Sequence, residues 1–208
     1  YNLYGSTEIS FATIARPQDL SINPATVGPV VKGVRVKIFD DNGKELPQGS
    51  VGRIFVGTTF PFEGYTGGGG KEIIDGMLSS GDVGYFDERG LLYVSGRDDE
   101  MIVSGGENVY PAEVESVLHQ LAAVAEAAVI GIPNEQWGEV GMAVIAVKPG
   151  HTLTPAEIHA HCQANLARFK CPRLIEFIDA LPRNATGKIH KPTLRQQFGQ
   201  PKPTDTAA

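Results

Sequence analysis

Gly96-Arg97-Asp98-Asp99-Glu100-Met101-Ile102-Val103-Ser104-Gly105-Gly106-Glu107-Asn108-Val109-Tyr110-Pro111-Ala112-Glu113-Val114-Glu115 is the stretch that decides the fold. The chain changes character across it. The run Gly96–Glu100 reads as a charged connector, and its Arg could instead serve a nucleotide's sugar or phosphate. The pair Gly105-Gly106 lets another group approach the backbone closely, or simply turns the chain between a strand and a helix. Pro111 sits where a helix can begin, and Val114, Val117 and Leu118 give that helix one apolar face.

Upstream, the sequence is mostly β. Val34, Val36 and Ile38 alternate, Asp40-Asp41-Asn42-Gly43 signals a turn, and Ile54 and Val56 mark a second strand. Ser80-Gly81-Asp82 ends an extended segment. Tyr85 and Phe86, then residues 91–94, flank the hairpin turn Asp87-Glu88-Arg89-Gly90. A small barrel or sandwich fits this spacing. Downstream, residues 124–132 and 140–147 are apolar strands, Thr154-Pro155-Ala156-Glu157 opens a capped helix with Ile158, Cys162 and Leu166 as its stripe, residues 174–178 form a short strand, and residues 192–198 a last helix. The fold class is therefore α+β. A β-barrel-like subdomain over 21–97 precedes a hinge and a small α+β domain over 98–199, with a loose Pro- and Thr-rich tail over 200–208.

The composition is that of an ordinary soluble globular chain of 208 residues, 41% hydrophobic and 20% charged. A net charge of −6 argues against tracking nucleic-acid phosphates. No apolar run reaches membrane-spanning length. Two cysteines, Cys162 and Cys171, cannot staple a chain of this size, so a reducing cytoplasm is the expected compartment, with membrane association of the whole protein left open. The first residue is Tyr1, directly on a Gly-containing motif, which suggests a piece of a longer protein.

Three further strings have chemical potential. In Tyr4-Gly5-Ser6-Thr7-Glu8, backbone N–H groups and hydroxyls can meet phosphate and the Glu can hold Mg²⁺; a plain turn is the competing reading. Asp82 can accept from a ribose diol, or cap a turn through its own backbone. Lys188, in Arg183-Asn184-Ala185-Thr186-Gly187-Lys188-Ile189, can reach a phosphate as a mobile point charge, or be an ordinary surface Lys. Each string alone is weak, but their order and spacing together are hard to credit to coincidence.

The ordered set resembles the adenylate-forming superfamily of acyl-CoA synthetases, luciferases and peptide-synthetase adenylation domains, from Tyr1 to about Phe198. The resemblance implies a fatty acyl-CoA synthetase acting on a small carboxylic acid with ATP, Mg²⁺ and coenzyme A. Residues 1–20 would end the large adenylation domain. Tyr4, with Gly5, would lie against the adenine, Thr7 would contact phosphate and Glu8 would ligate Mg²⁺. Asp82 and Arg97 would bind the ribose hydroxyls, and Asp99 would be the hinge. Gly105 and Gly106 would line the pantetheine passage, and Lys188 would be the catalytic lysine of adenylation. An acyl carrier protein is the alternative acceptor, and a module that only binds nucleotide or a partner is the alternative of another class. The family's phosphate loop and most of its acyl pocket would lie upstream of Tyr1, so the chain alone is expected to be inactive.

Three positions depart from the family. Gly52-Arg53-Ile54 carries Arg where an acidic residue is common, Asp75-Gly76 is followed by Met77-Leu78 rather than Trp, and Gly67-Gly68-Gly69-Gly70-Lys71 replaces the usual Asn/Pro-rich loop. That last string is not a Walker loop: Tyr65 stands at the position of the first Gly, and Glu72 follows the Lys. His159 and His161 are two apart and face away from each other on a helix, and Trp137 reads as packing.

Overall fold

Strand β6 (Met77–Phe86) is the spine of the β-rich half. In a computed structural model, which describes residues 1–59 and 62–199, the chain divides into two compact units, Tyr1–Asp99 and Glu100 onward. The tail over 200–208 lies outside the described residues.

The first unit opens with the hairpin β1 (Asn2–Ser6) and β2 (Ser10–Ala15), followed by a short helix α1 (Pro17–Ile22) that begins on Pro17. Strands β3 (Arg35–Phe39) and β4 (Gly52–Gly57) then lie antiparallel, and β4 pairs with β6. The two-residue β5 (Ile73–Ile74) pairs with the start of β6, and β7 (Leu92–Arg97) with its end. Bridges from Gly28 to Leu92 and from Val30 to Thr13 connect the intervening segment to β7 and to β2. Ile9, Ile38, Ile54, Val56 and Leu92 form one core cluster, and Phe39, Phe55 and Met77 a second.

Ser80-Gly81-Asp82 does not end an extended segment, as the sequence reading had it: it lies in the middle of the ten-residue β6. The ladder runs Arg53 to Val83 and Phe55 to Ser79, so Ile54 faces three residues of β6. Gly81 takes φ +79°, which lets the strand bulge and continue.

The second unit is built on β10 (Val124–Asn134) and β11 (Gly138–Val147), a long antiparallel pair. The short hairpin β8 (Ile102–Ser104) and β9 (Glu107–Val109) joins β11 on one side, and β12 (Leu174–Phe177) runs parallel to β11. Helices α2 (Pro111–Leu118), α3 (Pro155–Asn165) and α4 (Lys191–Phe198) cover the sheet. Val129 and Ile145 point into a core with Leu118, Ile158 and Cys162. Their neighbours Ile130 and Val144 point the other way, into a core with Leu181 and Leu194. Burial on both faces explains why β10 and β11 are apolar runs rather than alternating ones. Thr154 caps α3: its hydroxyl accepts from Glu157 N, and the Glu157 carboxylate accepts from Thr154 N at 2.8 Å. Among the described residues no helix is long and apolar enough to cross a membrane.

Candidate active site

Residues 78 apart in sequence meet in the first unit. The Tyr4 hydroxyl donates to Asp82 Oδ2 at 2.6 Å. Arg97, paired across the ladder with Asp82, places Nη1 at 3.4 Å from Asp82 Oδ1 and Nε at 3.1 Å from Asp99 Oδ1. The bulge sets this geometry. It turns Asp82 toward Arg97, and the bare Gly81 lets the guanidinium pass within 3.2 Å of where a Cβ would sit. Burial, and next the Asp82 charge, push the Tyr4 phenol well above its ordinary value, so it stays a donor. Asp82 is thus held on one side by a neutral hydroxyl and on another by a cation, while remaining an acceptor for further donors.

Thr7 and Glu8 sit in the turn between β1 and β2. Gly5 is required there, because a Cβ would lie 1.9 Å from Ser10 O, and buried Ile9 anchors the turn at 1% exposure. Glu8 accepts from the Tyr65 hydroxyl at 2.5 Å and from Ser6 at 2.7 Å. The Tyr65 bond, then the Ser6 bond, lowers the Glu8 carboxyl to about 2, so it is ionised throughout the neutral range. An anionic oxygen ligand suits Mg²⁺. Among the described residues no group of three or more His, Cys, Asp or Glu side chains could hold a metal. A cleft of about 480 Å³ lies along this hairpin, lined by Leu3, Gly5, Ser6, Thr7, Ser10 and Phe11.

Gly105, Gly106 and Lys188 belong to the second unit. The two glycines form the β8–β9 turn, a hairpin rather than a direct strand-to-helix turn, with φ +62° and +86°. Gly105 N donates to Trp137 O at 2.8 Å, and a Cβ on Gly105 would meet the indole at 2.6 Å. Arg173 covers the same indole at 4.5 Å. Lys188 is exposed at the end of a loop organised by Asn184, whose Oδ1 accepts from Thr186 N and Lys188 N, each at 3.0 Å. Gly187, at φ +81°, closes that loop.

The sequence reading missed Tyr65, which is remote from Glu8 in sequence and lies in an irregular segment with no motif. It also missed Lys191, whose ammonium lies 2.5 Å from Glu100 and 2.9 Å from Glu115. Its one signal was a cation at the start of a helix, where cations are unfavourable without a partner.

The first unit thus carries a carboxylate–arginine pair at a strand bulge, and the second a lysine on a Gly-containing loop. Family comparison places the chain. Residues 1–66 match the model of the AMP-binding enzymes, and residues 113–188 that of the AMP-binding enzyme C-terminal domain. The chain belongs to the adenylate-forming superfamily. It is similar to a fatty acid–[acyl-carrier-protein] ligase, ScoC, of Streptomyces coeruleorubidus, 38% identical over 94% of this chain and 39% of the relative. Among solved structures it resembles ATP-bound MatB from Rhodopseudomonas palustris (TM-score 0.83, 37% identity, 95% of this chain and 40% of that one). It also resembles o-succinylbenzoate CoA synthetase (MenE) from Bacillus subtilis in complex with the acyl-adenylate intermediate OSB-AMP (TM-score 0.86, 34% identity, 97% and 41%). The chain thus spans about two fifths of the length of the relatives it matches.

Proposed function

We propose that this chain is the C-terminal portion of an ATP-dependent acid–thiol ligase, which activates a carboxylic acid as its adenylate and passes the acyl group to coenzyme A. The observation that carries the reading is Asp82, held between the Tyr4 hydroxyl and Arg97 with acceptor capacity to spare for a ribose diol. Tyr4 and Arg97 orient that carboxylate, and the aromatic face of Tyr4 is the surface for adenine.

In the first step a carboxylate oxygen attacks the α-phosphorus, and the bond to the pyrophosphate oxygen breaks. Two anions meet, so the step needs positive charge at the reacting oxygens. Lys188 supplies it from its exposed loop, where an unencumbered ammonium can reach. Thr7 offers a hydroxyl to phosphate, and Glu8 would hold Mg²⁺, which neutralises phosphate charge when bound with ATP. In the second step the thiol sulfur attacks the acyl carbon and AMP leaves. A lysine needed in the first step would obstruct the second, so the second unit turns about Asp99 to present the Gly105-Gly106 hairpin instead. A fatty acid is the expected substrate, and Mg²⁺ the expected ion.

The similarity to a fatty acid–[acyl-carrier-protein] ligase supports a second reading, in which the thiol belongs to a carrier protein. The test is acid-dependent exchange of labelled pyrophosphate into ATP by the full-length protein, followed by addition of coenzyme A or holo-carrier protein. Exchange with turnover on coenzyme A supports the first reading, and turnover only on the carrier supports the second. No exchange with any fatty or aryl acid would discard both.

A further inference from the structure

Asp99 stands between two ion-pair clasps, each inside its own unit. Before it, Asp98 is gripped by Arg53 of β4, with Nε at 3.1 Å from Oδ2. The Arg53 side chain is only 16% exposed, also pairs with Glu72, and lies 5.2 Å from the centre of the Phe55 ring. After it, Glu100 is gripped by Lys191 of α4, which is 11% exposed and also bonds Glu115. Glu115 in turn accepts from Val129 N of β10 at 2.8 Å. Each clasp joins a cation largely withdrawn from water to a carboxylate about a third exposed (Asp98 32%, Glu100 28%), so it is screened less than a pair on the open surface. Asp99 itself is different: its carboxylate is 70% exposed and its ion pair to the half-exposed Arg97 is screened by solvent.

We infer that Arg53 and Lys191 are positioning residues that confine the turning between the two units to the backbone of Asp99. The inference rests on the hinge assigned under the proposed function. With the flanking side chains anchored, rotation at Asp98 and Glu100 is restrained, and the least restrained φ and ψ between the clasps are those of Asp99. A hinge restricted to one residue has few orientations, whereas one spread over three has many, most of them unproductive. The Lys191 clasp has a second consequence. Lys191 lies three residues beyond Lys188, so the same contact roots the Lys188 loop to the residue that follows the hinge.

The test uses the full-length protein with one spin label at exposed Lys44 and one at exposed Gln163, in each unit, introduced as non-natural residues. Pulsed dipolar spectroscopy then reads the distance distribution with ATP and acid, and with acyl-adenylate analogue and coenzyme A. The wild type is expected to show two narrow populations that exchange weight between the two conditions. Asp98→Asn, which keeps the side-chain volume, is expected to broaden both about twofold, as is Glu100→Gln, and to lower kcat for thioester formation by about tenfold or more with KM for ATP held. Arg53→Gln combined with Asp98→Asn should be no broader than either alone, because they are one clasp. Asp98→Asn combined with Glu100→Gln should add. Lys37→Gln, which breaks the Lys37–Glu45 ion pair away from Asp99, should leave the widths unchanged. Unchanged widths in the clasp variants, equal broadening by Lys37→Gln, or a single wild-type population under both conditions would overturn the inference. The distances are read without turnover, so a wild type that makes no thioester would defeat the ligase reading while the widths still decide the clasps.

Discussion

Removing the Asp82 carboxylate tests the nucleotide site most sharply when the ligand is changed along with the protein. Asp82 keeps acceptor sites beyond those taken by the Tyr4 hydroxyl at 2.6 Å and Arg97 at 3.4 Å. A ribose diol would make two hydrogen bonds to this charged group, each worth about 1.5–3 kcal/mol net. At the lower figure the pair contributes about 3 kcal/mol, about a hundredfold in Kd. In the full-length protein, Asp82→Ala should therefore weaken binding of a non-hydrolysable ATP analogue by about a hundredfold. The wild type should lose a similar factor when the analogue is 2′,3′-dideoxy. The variant should barely distinguish the two ligands, since its acceptor is already gone. Isothermal titration calorimetry on the four combinations measures this directly. A variant that discriminates diol from dideoxy as strongly as the wild type would refute the assignment, even if its overall affinity had fallen.

Other predictions address the remaining groups. Lys188→Ala should reduce adenylation by about 10²–10³-fold while leaving thioester formation from preformed acyl-adenylate within a few-fold, read by separate half-reaction assays; equal losses would remove its special role. Glu8 has its pKa lowered to about 2, chiefly by the Tyr65 hydroxyl, so the stabilisation tied to its ionised form is present above the ordinary carboxylate value of 4.5 and is lost as pH falls toward 2. Carboxyl-resolved NMR should place its midpoint near 2, and Tyr65→Phe should raise it toward the ordinary range; a midpoint unmoved by that variant would contradict the bond. Gly105→Ala should destabilise by about 1–3 kcal/mol, because a Cβ would meet Trp137 at 2.6 Å at positive φ, whereas Gly106→Ala, with open space around it, should lose only about 1 kcal/mol of backbone preference; thermal melts giving the reverse order would contradict the packing.

Local signals carried much of this structure. The Thr154–Glu157 capping box, Pro111 at a helix start and the Asp87–Gly90 turn each act within a few residues, and each appears where the sequence places it. The apolar runs of β10 and β11 were readable as strands and the three helices as helices, but not the packing that sets those helices on both faces of the sheet. Ser80-Gly81-Asp82 was misplaced because a bulge depends on the partner strand: one residue, Ile54, faces three, and no pattern in β6 alone reports that. The Tyr4–Asp82 bond spans 78 residues, and Tyr65 reaches Glu8 from an irregular segment, so neither follows from periodicity. The candidate residues were picked out by the family spacing of their motifs. The clasps around Asp99 were not, since Arg53 registered only as a departure and Lys191, just before the helix read over 192–198, not at all.

The reaction itself can be tested by mass spectrometry of products from the full-length protein incubated with ATP, Mg²⁺, a mixture of fatty and aryl acids, and coenzyme A. An acid–thiol ligase of this family should form acyl-CoA together with one AMP and one pyrophosphate per thioester, and only adenylate when coenzyme A is left out. ADP and phosphate in place of AMP, or no ATP-dependent acyl product with any acid or thiol acceptor, would contradict the account.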